Sequence, residues 1–415
     1  MNSIAFPAPV ASVDADLRRR AAAVIPGGMY GHQAAKHLWP GAPQFIASGE
    51  GAVVRDVDGR EYIDLLCSYG PIVLGHRHPE VEAAAREQAM LGDCFNLPGP
   101  RMVELAERLT GIVDYADWAM FQKNGTDATT LALTVARAHT GRKGVLMATG
   151  AYHGAAPWCT PIPLGTTPGA RADLYNYRYN DIASVEAALA ACGDDLAAII
   201  VSPFRHDAGL PQELVEPEFA RYLRALCDEK GAMLVLDEVR CGMRLGFGSS
   251  WAGIGVAPDL SAWSKALGNG HPIAALMGID VLRPAIEKIF TTGSFWFSSV
   301  AMAASLATLD VMAREGSVAR MHTLGQVLWD GLLAQAAKYG VDCSLTGHVT
   351  MPYLCFPGES DWAKTDVFAA ACAKAGVFTH PRHNWFISAA LSDAQMAQIL
   401  EATGEGFAAV AAIGD

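Results

Sequence analysis

The chain has 415 residues, 51 % hydrophobic and 18 % charged, enough apolar material for a core divided between a large and a small domain. Its 31 basic and 43 acidic residues leave a formal net charge of −12, which repels phosphate backbones and argues against nucleic acid as a partner. Nine cysteines without CxxC spacing, no basic-then-apolar leader in residues 1–10 and no uninterrupted membrane-length apolar run argue against a disulfide framework, a zinc site, an export signal and a membrane span, and for a cytoplasmic protein.

In chain order, residues 15–24 read as a short helix, followed by a turn at Pro26-Gly27-Gly28. Residues 52–56 and 62–64 read as a hairpin, because Val57-Asp58-Gly59 between them supplies the Asp-Gly turn that hairpins favour. From about 100 to 280 short apolar runs alternate with helical stretches. The runs are 118–122, 145–149, 198–202, 233–238, 260–264 and 274–278, and residues 128–139 and 217–230 read as helices between them. That alternation predicts an α/β fold with a mostly parallel sheet covered by helices. After about 310 a long helix leads into strands at 353–356 and 385–388 and helices at 366–375 and 392–410. The expected division is 1–65 and 311–415 as a small domain from both termini, and 66–310 as the large one.

Ligands of such sheets sit beyond the carboxyl ends of the strands, so the residues after each run carry the search for chemistry. The first run ends in Lys123-Asn124-Gly125-Thr126-Asp127. Glycine allows close approach, the new helix offers free N–H groups and Thr126 a hydroxyl, which suits a phosphate; a turn with an N-cap has the same sequence. The second run leads to Tyr152-His153-Gly154, where an aromatic ring can lie against a planar ligand or pack in the core. The run 233–238 reaches Asp237 after Leu-Val-Leu. A shielded acid needs a cationic partner, and a protonated pyridine nitrogen is one. A magnesium ligand is the rival, but no GxxxxGK[ST] loop accompanies it. The run 260–264 ends in Lys265-Ala266-Leu267-Gly268-Asn269-Gly270. Apolar surroundings would lower the pKa of Lys265 and leave a neutral amine able to form a Schiff base; a snorkelling surface lysine is the bland alternative, and Lys123 also ends a strand. Together and in this order, the four features are what a phosphorylated pyridine aldehyde requires.

These residues resemble the class III aminotransferases, which are fold-type I enzymes of pyridoxal 5′-phosphate (PLP). Asn124-Gly125-Thr126-Asp127-Ala128 resembles the family's phosphate loop, Tyr152-His153-Gly154 its ring-stacking stretch, Asp237-Glu238-Val239 its acid-bearing strand end and Ser264-Lys265-Ala266 its lysine stretch. Leu74-Gly75-His76-Arg77-His78-Pro79 resembles an early stretch near the entrance; His76 and His78 read as loop structure, not as metal ligands. The resemblance implies a seven-stranded sheet. It implies Lys265 as the Schiff-base lysine and proton carrier, Asp237 at the pyridine nitrogen, Tyr152 and Val239 on the ring faces, His153 beside them, and Gly125 and Thr126 at the phosphate. It also implies a homodimer in which Ser294, within Gly293-Ser294-Phe295-Trp296-Phe297, reaches the partner's phosphate.

Three departures stand out: Ser202-Pro203 where the family has Glu-Pro, Arg240 after Asp-Glu-Val, and aromatic and serine residues in the 293–299 loop. With Met29-Tyr30-Gly31-His32 and Pro203-Phe204-Arg205-His206 they resemble the branch of glutamate-1-semialdehyde aminomutase-like and fumonisin-type aminotransferases. The expected activity is a ping-pong exchange of an amino group between an amine, bulky or not an α-amino acid, and a keto acid such as pyruvate; an aminomutase or racemase would use the same lysine. Arg205 and Arg240 are candidates for the acceptor's carboxylate or for structural ion pairs. Tyr30, Tyr69 and Trp296 are candidates for substrate walls, core or dimer contact. A nucleotide-binding oxidoreductase would want GxGxxG after an early strand, which is absent. A regulatory protein would want a basic patch.

Overall fold

The computed structural model describes residues 12–207, 209–359 and 361–413. The expectation about residues 1–10 lies outside them. Seven strands form the central sheet: β1 (Trp118–Gln122), β2 (Gly144–Ala148), β3 (Leu174–Tyr177), β4 (Leu196–Val201), β5 (Met233–Asp237), β6 (Leu260–Trp263) and β7 (Ala274–Gly278). They lie in the order β1-β7-β6-β5-β4-β2-β3, and only β7 runs antiparallel to its neighbours. Helices cover both faces, which is why the inner strands are apolar throughout instead of alternating. In β4, Ala198 and Ile200 pack towards the helix Gly125–Thr140, while Ile199 and Val201 pack towards Phe219 and Leu223 of the helix Pro217–Lys230.

The ends of the chain meet in a second sheet. The expected hairpin forms from Val53–Asp56 and Glu61–Asp64. Asp56 Oδ1 accepts the N–H groups of Asp58 and Arg60 across its turn. Ile46–Glu50 pairs antiparallel on one side, and Val377–Phe378 joins Glu61–Asp64 in parallel on the other.

The predicted strand at 385–388 is not a regular strand. Its N–H groups go alternately to two different segments: Trp385 and Ile387 to the carbonyls of Pro352 and Thr350, and Phe386 to that of Leu65. The chain is extended and satisfied from both sides, but no single neighbour supplies a ladder. The long helix expected after about 310 is Ser317–Tyr339; a separate helix, Ser299–Glu315, precedes it and ends at Gly316, whose φ is +64°. Six strands were not foreseen: Ile46–Glu50, the edge strand β3, Phe204–Arg205, Glu213–Leu214, Ser344–His348 and Val377–Phe378. No described helix is long and apolar enough to cross a membrane.

Candidate active site

The parallel strands deliver their carboxyl ends to one edge of the sheet, and the expected residues gather there. Asp237 closes β5 and is 4 % exposed. A carboxylate in that position is costly unless it is bonded. Its Oδ1 accepts the Val239 N–H at 3.0 Å, and its Oδ2 lies 2.7 Å from Nδ1 of the buried His153. His153 is held in turn: its ring lies nearly parallel to that of Trp158, whose Nε1 donates to Thr130.

The loop after β1 becomes the start of the helix Gly125–Thr140. Asn124 caps that helix by accepting the Asp127 N–H at 3.1 Å. The N–H groups of Gly125 and Thr126 have no acceptor among the described residues, and they stand at the positive end of the helix dipole. The Thr126 hydroxyl accepts the Ala155 N–H at 3.2 Å and keeps its own hydrogen to donate. Glycine is required on both sides of this cradle. A Cβ on Gly125 would lie 2.6 Å from Val239 Cγ1, and one on Gly154, where φ is +122°, 2.4 Å from Thr126 Oγ1.

Lys265 follows β6 in a left-handed conformation (φ +49°), and Asn269 ends the same turn at φ +43°. Asn269 fixes the turn by accepting the N–H groups of Val73 and Leu74 and donating to the Gly75 carbonyl. Such backbone strain is stored where surroundings over-determine it. Gly70 (φ +111°) packs so close that a Cβ there would lie 2.9 Å from Phe386 and 3.4 Å from Lys265 Cδ. Burial, and next the Arg240 guanidinium, push the Lys265 ammonium down to about 7, against the opposing pull of Asp237 and Cys241. A neutral amine is therefore available near neutral pH.

Gly125, Thr126, Tyr152, His153, Asp237, Val239 and Lys265 line one cavity of about 240 Å³, together with Asn124, Gly154, His206, Arg240 and Ser264. Tyr152 is 40 % exposed. Of the two arginines, Arg240 lines the cavity, 7 % exposed; its Nη1 donates to the His206 carbonyl at 2.7 Å and to Asn384 Oδ1 at 3.2 Å. Arg205 lies on the short strand Phe204–Arg205 and faces Glu213 at 3.2 Å, outside the cavity lining. The Tyr69 ring stands edge-on to His32 and His383, with its phenol pushed up to about 12 by burial. Tyr30 is 73 % exposed. Ser294 is exposed, Trp296 half-buried over Gly293, and neither reaches this cavity. His76 bonds Asp64 through Nε2 at 2.8 Å. His206 and Asn384 were not singled out from sequence. His206 lies in a stretch noticed only for its resemblance, and no local pattern marks Asn384. Among the described residues no group of three His, Cys, Asp or Glu is placed to hold a metal ion.

The donor set fits a phosphorylated pyridine aldehyde. It has a helix start with two free N–H groups and a hydroxyl for the phosphate, a buried acid for the ring nitrogen, flat and branched side chains for the faces, and a neutral amine for the aldehyde. The model of the "Aminotransferase class-III" family matches residues 39–403. The aminopentol aminotransferase of Sphingopyxis macrogoltabida is 47 % identical over 395 residues, 95 % of this chain and 94 % of that protein. The FumI protein of Sphingopyxis sp. MTA144, solved in its PLP internal aldimine form, superposes with a TM-score of 0.94 at 47 % identity, covering 96 % of each chain. An ω-transaminase from Sphaerobacter thermophilus superposes with a TM-score of 0.88 at 26 % identity, covering 97 % of this chain and 98 % of the other. The chain belongs to the class-III aminotransferases, which are dependent on pyridoxal 5′-phosphate.

Proposed function

We propose that this aminotransferase takes its amino group from a bulky amine that is not an α-amino acid and passes it to a keto acid such as pyruvate. The observation that carries the reading is the convergence in one cavity of a lysine whose pKa is pushed down to about 7, a histidine-held aspartate and a helix start with two free N–H groups. The relatives, an aminopentol aminotransferase and an ω-transaminase, support a donor of this class. An aminomutase or racemase is not favoured by them.

When bound, PLP supplies a reactive aldehyde and an electron sink that acidifies the substrate's Cα–H. The chain's own residues do the rest. Lys265 Nζ would take the proton from the donor's Cα and deliver it to the carbon that bore the aldehyde, a task suited to a base whose pKa lies near the working pH. Asp237, oriented by His153, would hold a proton on the ring nitrogen. Tyr152 and Val239, which line the cavity with Gly125 and Thr126, would cover the two ring faces, and Gly125 and Thr126 would hold the phosphate. Tyr69 walls the substrate side.

The second copy completes the site in this reading. Ser294 and Trp296 lie on a segment that does not reach its own chain's cavity, and Phe290 (93 % exposed) and Phe295 (63 %) flank them. That supports a homodimer in which the segment, with Tyr30, lines the partner's site. The shared sheet of Glu61–Asp64 and Val377–Phe378 supports 1–65 and 311–415 as one small domain beside the large domain 66–310. All nine cysteines are free, which supports a cytoplasmic setting.

Incubating the holoenzyme with a panel of primary amines and pyruvate, and measuring alanine, tests the proposal. Alanine formed in proportion to amine consumed is expected. An isomerised product with no alanine would return the aminomutase reading.

A further inference from the structure

The atoms of the PLP ring occur in a fixed order. The nitrogen lies opposite the aldehyde carbon, the phosphate arm flanks that carbon on one side, and an ionisable oxygen flanks it on the other. All of the residues assigned above line this cavity: on that reading Asp237 and Lys265 would set its axis, Gly125 and Thr126 would mark the phosphate side, and Tyr152 and Val239 would take the faces. Of the other polar lining side chains, Asn124 caps the helix on the phosphate side and His153 is bonded to Asp237, which leaves Ser264, His206 and Arg240 for the oxygen's side. Ser264 is committed, donating to the Ile273 carbonyl at 2.8 Å. His206 is held neutral by burial and by Arg240. Arg240 carries charge and has no carboxylate in ion-pair distance among the described residues; its buried Nε has no partner, and only Nη1 is bonded.

We infer that Arg240 is the counter-charge of the cofactor's 3-oxygen, which it holds as an oxide, and is not the receptor for the acceptor's carboxylate. The inference rests on the PLP reading of the cavity. A buried guanidinium without an anion is costly. A carboxylate would be present only in the keto-acid half of each cycle and would leave Arg240 unpaired in the other, whereas the 3-oxygen is present in both. The two bonds to the His206 carbonyl and Asn384 fix the guanidinium for a partner that does not move.

The test compares equilibrium binding of PLP and of its 3-deoxy analogue to the cofactor-free wild type and to Arg240→Met. The cycle cancels whatever the oxygen contributes elsewhere. Wild type is expected to prefer PLP by about tenfold or more, as a charge-assisted bond implies, and Arg240→Met is expected to lose most of that preference. An equal preference in both proteins overturns the inference. Should Arg240→Met fail to fold, the wild type decides alone, and a preference below about threefold overturns it. If PLP leaves wild type without a visible band and unmodified after borohydride, the reading beneath falls and takes the inference with it. Normal PLP binding with an unchanged ratio removes only the role of Arg240.

Discussion

His153 Nδ1 meets Asp237 Oδ2 at 2.7 Å, both side chains buried at the carboxyl edge of the sheet. The pair joins a loop to a strand 84 residues away and leaves Asp237 one fixed orientation. A hydrogen bond to a charged group contributes about 1.5–3 kcal/mol. His153→Ala is therefore expected to lower kcat roughly 10- to 100-fold and to speed cofactor loss on dialysis, with the fold retained by circular dichroism. Unchanged kcat and retention would show that Asp237 needs no such support.

The low pKa of Lys265 sets a pH window. In the cofactor-free protein the amine gains its neutral form as pH rises through about 7. The rate of PLP capture is expected to climb through that pH and level off above it. A free lysine would keep gaining neutral amine up to about 10.4. Between these values the unfolded chain holds a proton that the folded chain has released, so the contribution of Lys265 to stability rises with pH across the same window. Stopped-flow capture from pH 6 to 10 checks the first claim.

Gly154→Ala would place a Cβ 2.4 Å from Thr126 Oγ1 at a backbone φ of +122°. Strain of this kind costs about 1–3 kcal/mol and displaces the hydroxyl assigned to the phosphate. PLP affinity is expected to fall at least about tenfold, measured by equilibrium dialysis, with thermal unfolding of the cofactor-free protein shifted down only modestly.

Arg205 is engaged by Glu213 at a partly exposed position. Arg205→Ala is expected to leave the KM for pyruvate unchanged and to cost less than about 1 kcal/mol of stability. A tenfold rise in KM without a change in kcat would instead make it the carboxylate receptor.

Local pattern made part of this site legible. An acid after Leu-Val-Leu and a lysine before Ala-Leu-Gly-Asn-Gly mark strand ends because buried parallel strands are continuous apolar runs, and glycines mark where backbone must approach closely. The pairings between distant residues were not legible. Arg240 with Asn384 and Asn269 with Val73 span 144 and 196 residues, and neither leaves a local signal. β3 was missed because Leu-Tyr-Asn-Tyr at a sheet edge is only partly buried and has no clear period. Residues 385–388 misled in the other direction, since their apolar run is buried by two segments and not by one ladder.

The central claim is that Lys265 carries the cofactor. Reducing the PLP-loaded protein with borohydride and mapping the modified peptide by mass spectrometry tests it directly. The pyridoxyl group is expected on Lys265 alone, with the visible band lost on reduction. Modification of Lys123, or of any other lysine in place of Lys265, would contradict the account.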